Sequence, residues 1–336
     1  MSARSRQSAV VHLSLLLAAA FVVGGQDAWS QSAPASGAYP NRTVRLVVPA
    51  TPSGGTDVLA RTLAQRLGES WNQPVVVDNR AGANGIIATD FIAKSKPDGY
   101  TLLVCLNTHV INPLVHSKLP FEMSDLLPVT LLAKYPYVLI THPSLPARSV
   151  RELIALAKAR PGQLSYASSG NASGPHLGME LLKSSAKIDM VHVPYKGSGP
   201  GTVDLIAGHI QLLLSSYLSS VPMVRAGRVR MLAVTGARRA TALPDTPTVA
   251  ESGVPGYDVN GWYGLIGTAG TPPAVVSKIQ ADVAAALRVP AIQQRLVSDL
   301  AEPVGNSPEE FTSFMNGETR KWGAVIKSLN LTAGSL

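Results

Sequence analysis

The chain of 336 residues carries 29 Lys and Arg against 21 Asp and Glu, a formal net charge of +8, with 5% aromatic residues and one cysteine. Its basic residues are scattered, with Arg225, Arg228, Arg230, Arg238 and Arg239 the nearest thing to a cluster and no stacking residues between them, which argues against a nucleic-acid partner. One cysteine excludes an internal disulfide, so stability must come from burial, and about 305 residues after export are enough for two domains of ordinary size.

Arg4 and Arg6 precede the mostly apolar stretch 9–23, which is broken only by His12 and Ser14. That stretch is too short for a membrane span, and Ala28-Trp29-Ser30 places small residues at the −3 and −1 positions of a cleavage site. Residues 1–30 are therefore predicted to be a signal peptide cleaved after Ser30, sending the protein to the periplasm, and 31–38 a flexible leader of Ser, Ala, Pro and Gly. Loss of Arg4, Arg6 and Asp27 leaves 27 basic and 20 acidic residues, a net +7 that suits anionic ligands.

Residues 43–49 (TVRLVVP) form a predicted strand by β-branched content, and 57–67 a helix with Leu59, Leu63 and Leu67 on one face. A strand at 74–78, a helix at 86–93 and a strand at 100–106 follow, the last after the turn Lys96-Pro97-Asp98-Gly99. Cys105 lies in that third strand as a small buried side chain. This βαβαβ order predicts an α/β fold with a parallel sheet, whose ligand crevice lies beyond the carboxyl ends of its strands. After a strand at 131–141 the pattern restarts. Ser149 and Glu152 spell a capping box for a helix to about 160, then strands at 164–167, 190–193, 211–215 and 229–235 alternate with helices starting near His176 and Thr202. A return strand at 259–267 leads to helices at 273–287, 291–300 and 307–329, the last with Ser307, Pro308 and Glu310 as N-cap, N1 and N3. The second α/β unit is thus inserted in the first, giving lobe 1 from 39–138 plus 260–336 and lobe 2 from 139–259. Two crossings make a hinge, at which Gly261, Gly264 and Gly267 serve either as pivots or as packing positions.

Three segments, 44–67, 164–182 and 190–210, each run from an apolar strand through a Gly, Ser, Thr and Pro loop into a helix. Such a junction aims unpaired N–H groups and the positive end of a helix dipole at one spot, which suits a carboxylate. In the first loop Gly54 and Gly55 can bring bare N–H groups to a ligand beside Ala50, Thr51, Ser53 and Thr56. Thr56 or Asp57 can cap the helix; the alternative for Asp57 is an ammonium group on the ligand. The second loop offers Ser169, Gly170 and Asn171, with Ser173 as N-cap and His176 as either a ligand donor or a histidine held by its neighbours. In the third, Tyr195 can wall an apolar ligand body and offer its hydroxyl, and Gly197 follows Lys196, which is either the cation for a carboxylate or a solvated lysine. Asp204, read as two residues into its helix, suits the dipole. Asn107 and Thr108, directly after the third strand, complete the candidate ligand-binding set.

Enzyme signatures are missing. There is no G-x-S-x-G elbow and no P-loop, and Thr202 stands where a dinucleotide fingerprint needs its third glycine. Ser184 and Lys187 match S-x-x-K only at a helix end, and the seven dispersed histidines and lone cysteine form no metal-ligand spacing. Neither metal nor cofactor is expected. The alternative function is a secreted serine hydrolase of a small ester or amide, using Ser169 or Ser173 with His176, for which no carboxylate is evidently placed to orient the histidine.

Together these motifs resemble the Bug-type periplasmic solute-binding receptors, the substrate-binding components of tripartite tricarboxylate transporters. The resemblance runs through Tyr39-Pro40, Gly54-Gly55-Thr56-Asp57, Asp78-Asn79-Arg80 with Gly82-Ala83, and Asp98-Gly99-Tyr100-Thr101-Leu102-Leu103. It continues in Asn112-Pro113, Ser169-Gly170-Asn171, Val193-Pro194-Tyr195-Lys196-Gly197, Gly261-Trp262-Tyr263-Gly264 and Gly270-Thr271-Pro272. It implies the type II periplasmic binding protein fold, two α/β lobes joined by a two-strand hinge and closing on a small carboxylated solute. It further implies that first-loop backbone groups, with ordered waters, hold one carboxylate, and that membrane transporter subunits or a sensor kinase ectodomain are the partners. A monomer is the default for a receptor that opens and closes. Ala50 stands where the family usually has an aromatic, Ser53 and Asn84 replace frequent glycines, and Gln211 replaces a common aspartate. A pocket lacking that aromatic accepts a bulkier or differently shaped acid.

Overall fold

The computed structural model describes residues 39–52 and 54–331. The signal peptide, its cleavage point, the leader and Ser53 lie outside the described residues. Contacts divide the chain into Met1–Tyr39 and Pro40–Leu336, and every described element belongs to the second unit.

β1 (Val44–Val48), α1 (Gly55–Trp71), β2 (Val75–Asn79), α2 (Ile86–Ala93) and β3 (Thr101–Leu106) follow the predicted order, and α3 (Thr108–Val115) succeeds β3 almost at once. β1 lies between β2 and β3 and runs parallel to both, which buries its apolar run on two faces. Leu59, Leu63, Leu67 and Trp71 recur at four-residue spacing as the buried stripe of α1, which ends at Asn72 in the left-handed region. α3 escaped the sequence reading because Pro113 sits inside it, breaking a helical pattern only eight residues long.

β4 (Leu126–Thr141) has 16 residues and begins five earlier than expected. α4 (Val150–Ala159), β5 (Ser165–Ser168), α5 (Gly174–Ala186), β6 (Val191–Pro194), α6 (Ser198–Ala207), β7 (Leu212–Ser216), α7 (Tyr217–Arg225) and β8 (Arg230–Val234) make the second group. α7, with Pro222 inside, is the second helix the sequence reading missed. β9 (Asn260–Thr268), α8 (Pro273–Leu287), α9 (Pro290–Ser298), the short β10 (Glu302–Pro303) and α10 (Pro308–Ser328) close the chain. Ser307 and Glu310 form the predicted capping box on α10; on α4, Ser149 caps as expected but Glu152 reaches back to Arg148 N, one residue before the cap.

The sheet order is β2-β1-β3-β9-β4-β7-β5-β6, with β8 and β10 also on β4. Parallel pairing holds within β2-β1-β3 and within β7-β5-β6, while β9 and β4 pair antiparallel with each other and with the two groups. β4 serves both groups: residues up to Pro136 pair with β9, and from Tyr137 it pairs with β7 and β8. Gln211 has a structural task, its Oε1 accepting from Ser165 N at 2.8 Å and Ser165 Oγ at 3.0 Å. Among the described residues no helix is long and apolar enough to cross a membrane.

The β9 glycines left open as pivots or packing positions divide. A Cβ on Gly261 would enter the Tyr135 ring, and one on Gly264 would strike Phe311 Cζ and sit 3.0 Å from Cys105 Sγ, so both are packing positions. The nearest atom to a Cβ on Gly267 is at 3.7 Å, an ordinary contact. Gly264→Ala is expected to destabilise by about 1–3 kcal/mol through overpacking. Gly267→Ala should be neutral or stabilising by about 0.4–1 kcal/mol. Chemical denaturation of the two variants checks the contrast; equal effects would overturn this packing account.

Candidate functional site

Five of the strand-to-helix junctions concern the candidate site: β1 into α1, β3 into α3, β5 into α5, β6 into α6 and β7 into α7. Three of these junctions were legible in sequence; the β3 and β7 junctions became visible only with α3 and α7.

Contacts tie the loops together. Asn84 Nδ2 donates to Asn171 O, and Asn112 Nδ2 donates to Asn84 O at 3.1 Å. A Cβ on Gly170 would lie 3.1 Å from Asn84 Oδ1 and 3.5 Å from Tyr195 O, and one on Gly174 would collide with Asn107 Nδ2 and lie 2.6 Å from Tyr137 OH. Gly55 faces Tyr263 OH and Ser216 Oγ, at 3.0 and 4.0 Å from a Cβ built on it. Thr108 Oγ1 is 3.7 Å from a Cβ built on Gly85, which also meets Pro49. The structure thus brings together the loops that carry Gly55, Asn107, Thr108, Gly170, Asn171 and Tyr195. It adds Asn84, Tyr137, Ser216 and Tyr263, which the sequence reading had not assigned to a ligand site. Asn84 left a trace in sequence, since it stands where glycine is frequent and adopts φ 50°.

The first loop reaches α1 with Gly54 as its extended N-cap, a residue with no capping side chain. The expected capping by Thr56 or Asp57 is therefore corrected. Asp57 Oδ2 accepts from Arg61 Nε at 2.9 Å and Oδ1 from Asn79 Nδ2 at 2.9 Å, and the same Asn79 nitrogen donates to Ala50 O at 3.0 Å. These bonds from Arg61 and Asn79 fix the loop, and the positive end of the α1 dipole favours an anion. Ala50 is half-buried and Thr51 exposed.

In the second loop Ser173 caps α5 as predicted, its Oγ accepting from His176 N at 3.3 Å. Ser168, fully buried, donates from Oγ to Gly170 O at 3.0 Å and accepts Gly170 N at 3.2 Å, with His192 Nε2 at 2.7 Å. Ala172 N donates to His176 Nδ1 at 3.0 Å. Gly170 N and Ala172 N are bonded inward, while the N–H groups of Ser169 and Asn171 have no acceptor among the described residues. Ala172, buried and at φ 57°, holds a left-handed conformation that costs about 1–3 kcal/mol outside glycine. His176 stacks on His192 at 3.8 Å between ring centres, and His192 on Tyr166 at 5.0 Å. Of its two sequence readings, the geometry selects a histidine held by its neighbours.

The third loop corrects two expectations. α6 begins at Ser198, so Asp204 is its seventh residue and lies beyond the first turn. Its Oδ2 accepts Tyr195 OH at 2.5 Å, which commits the hydroxyl expected to face a ligand and leaves the ring as a wall. Burial, then this bond to Asp204, push the Tyr195 hydroxyl up to about 12. Lys196 is exposed and has no hydrogen bond or ion pair among the described residues, and Gly197 N donates to Ser169 O at 3.3 Å.

Behind the loops, Tyr135 stacks on Tyr263 at 4.7 Å and meets Tyr137 edge-on at 5.5 Å. All three are buried, and desolvation raises their hydroxyls, which stay neutral. At the β7 junction Ser216 Oγ and Ser215 Oγ lie 2.8 and 3.0 Å from Ser219 Oγ. The arrangement offers N–H and O–H donors that suit an anion, with Arg295 and Asp299 lining the pocket beside Gly55, Ser216 and Tyr263. A triad on Ser169 or Ser173 would need the His176 ring, but Nδ1 holds Ala172 N and Ser173 Oγ takes the His176 backbone.

Burial lowers His109 to about 4, His176 to about 4, with Lys183 adding, and His192 to about 3, with His176 and Lys183 adding against Glu180. An unfolded chain binds these protons near pH 6.5, so the stabilising neutral state is complete above that pH and is lost as pH falls toward about 4. Urea titrations at pH 7.5, 6 and 4.5 should show stability declining mainly below pH 6.5. A flat profile across this window would overturn the assignment.

A family model for the tripartite tricarboxylate transporter family receptor matches residues 59–331. BugT of Bordetella pertussis (strain Tohama I) is 37% identical over 294 residues, covering 86% of this chain and 90% of that protein. The structure of R. palustris Rpa4515 with adipate shares 38% identity and a TM-score of 0.84, covering 88% of this chain and 99% of its own. That of MatC from Rhodopseudomonas palustris with bound malate shares 30% identity and a TM-score of 0.79, covering 86% and 100%. The periplasmic binding protein BugD, at 30% identity and a TM-score of 0.81, shares the same mixed α/β fold. The chain belongs to the tripartite tricarboxylate transporter receptor family.

Proposed function

We propose that this protein is a periplasmic receptor that captures a small organic acid between two closing lobes, 39–138 plus 260–336 and 139–259, and presents it to membrane transporter subunits or a sensor. The observation that carries this reading is the meeting of the positive helix end of α1 at Gly55 with Ser216, Tyr263 and the unbonded N–H groups of Ser169 and Asn171. One ligand carboxylate docks on the N–H groups of 51–56. Ser169, Gly170, Asn171 and the Tyr195 ring then close on the other end, with Lys196 supplying the cation. Relatives bound to adipate and malate support the ligand class, and a relative described as a periplasmic binding protein supports the location. Export by a signal peptide cleaved after Ser30, a monomeric state and the lack of catalysis belong to the same proposal.

Helix ends are worth about 0.3–1 kcal/mol each and at most ~2 when partly buried. Micromolar binding needs about 8 kcal/mol. Charge-assisted hydrogen bonds at about 1.5–3 kcal/mol each must therefore supply most of the affinity.

Residues 31–336 should show a saturable rise in Tm with members of a panel of mono-, di- and tricarboxylates that includes adipate and malate, with the ligand recovered unchanged. The methyl esters should bind far more weakly. Equal affinity for acid and ester would overturn the carboxylate reading, and turnover of an ester would favour the hydrolase. Gly174→Ala, whose methyl group would strike Asn107 and Tyr137 OH across the cleft, should weaken binding about tenfold or more while circular dichroism stays unchanged.

A further inference from the structure

We propose that His176 is the positioning residue of the ligand-facing segment 169–172, shaping it through the Ala172 amide, and that it does so only as the neutral imidazole. This rests on the receptor reading above and names a residue of that site which does not touch the ligand.

The segment alternates. Gly170 N and Ala172 N are bonded inward, to Ser168 Oγ and His176 Nδ1, and the amides of Ser169 and Asn171 between and before them are left with no acceptor among the described residues. Ala172 is the one non-glycine residue of the segment at positive φ, so its backbone conformation needs a partner to hold it. That partner is one turn ahead on α5. Because Nδ1 accepts, the neutral ring carries its proton on Nε2. A second proton could enter only at Nδ1, where it would set one N–H against another and break the bond.

The surroundings oppose that second proton. His192 from β6 stacks at 3.8 Å and Tyr166 from β5 lies at 6.4 Å. On α5 itself Glu180 is occupied by Tyr166 OH at 2.5 Å and Lys183 Nζ at 2.8 Å, so the lysine charge adds repulsion while the carboxylate is already paired. Ser168 Oγ lies 2.7 Å from His192 Nε2, a contact that a hydroxyl can make as donor or acceptor and so can keep when the ring is protonated. The Ala172 N–H cannot turn acceptor, so the His176 contact is the one in this stack that protonation must break.

Two substitutions separate the roles. His176→Asn places an amide oxygen near the Nδ1 position and cannot be protonated; His176→Leu removes the acceptor. At pH 7.5 the Ala172 amide should resist hydrogen exchange in the natural protein and in H176N and exchange rapidly in H176L, with the Ser169 and Asn171 amide resonances shifted only in H176L. With adipate as the probe, H176L should bind about tenfold or more weakly. Between pH 7.5 and 4 the natural protein should lose about twofold more affinity than H176N, with little difference above pH 5, a comparison that cancels the titration of adipate itself. Should H176L fail to fold, His176→Gln, whose acceptor falls at the Nε2 position, takes its place. Unchanged exchange and unchanged Ser169 and Asn171 resonances in the variant without the acceptor would overturn the proposal. Absence of binding by any acid would sink the receptor reading and leave the amide measurement to decide this one.

Discussion

From Thr268 opposite Leu126 to Asn260 opposite Pro136, β9 and β4 pair antiparallel, and through the β3–β9 pairing this ladder links the parallel group β2-β1-β3 to the rest of the described sheet. Beyond Pro136 the same strand leaves β9 and hydrogen-bonds to β7 and β8. A proline at the changeover suits the task, since it gives no donor to either ladder. The ladder must also leave space for rings: Tyr135 lies over Gly261 and Phe311 over Gly264, contacts that a single methyl group would destroy. Tyr135, Tyr137 and Tyr263 project from these same two strands, so the structural seam and the floor of the candidate site are one piece.

Around that floor three acids are occupied, and Asp299 lines the same pocket beside Arg295. Asp57 is bound by Arg61 and Asn79, Asp204 by Tyr195, and Glu180 by Tyr166 and Lys183. A free carboxylate near an incoming anion would repel it strongly in a water-poor cleft. Each of these paired acids instead fixes a loop or a ring, and the ligand meets neutral donors and helix ends. This explains why a chain with modest positive charge can be an anion receptor without a cluster of cations inside its cleft.

Part of the backbone strain falls in the same region. Ala83, Asn84 and Ala172 hold positive φ in the loops that face one another, and Asn84 donates across to Asn171. Each left-handed residue is retained by a specific partner or turn, as expected where loop shape serves binding more than stability.

How far the sequence reaches can be seen element by element. Strong local signals, such as the β-branched run of β1, the four-residue stripe of α1 and the capping box of α10, declare themselves because their stabilising contacts lie within a few residues. The Gly-rich junctions declared the candidate ligand loops for the same reason. α3 and α7 stayed hidden because an internal proline weakens a short helix whose stability comes from packing. Asp57, Asp204 and His176 were misread or left open because their partners, Asn79, Tyr195 and Ala172, depend on backbone paths that no spacing rule fixes. Local periodicity, turn chemistry and family-like motifs determined the α/β class and where the loops lie. Only the tertiary structure decided which polar groups are consumed inside the protein and which remain free for a ligand, since hydrogen-bond satisfaction is a property of neighbours in space.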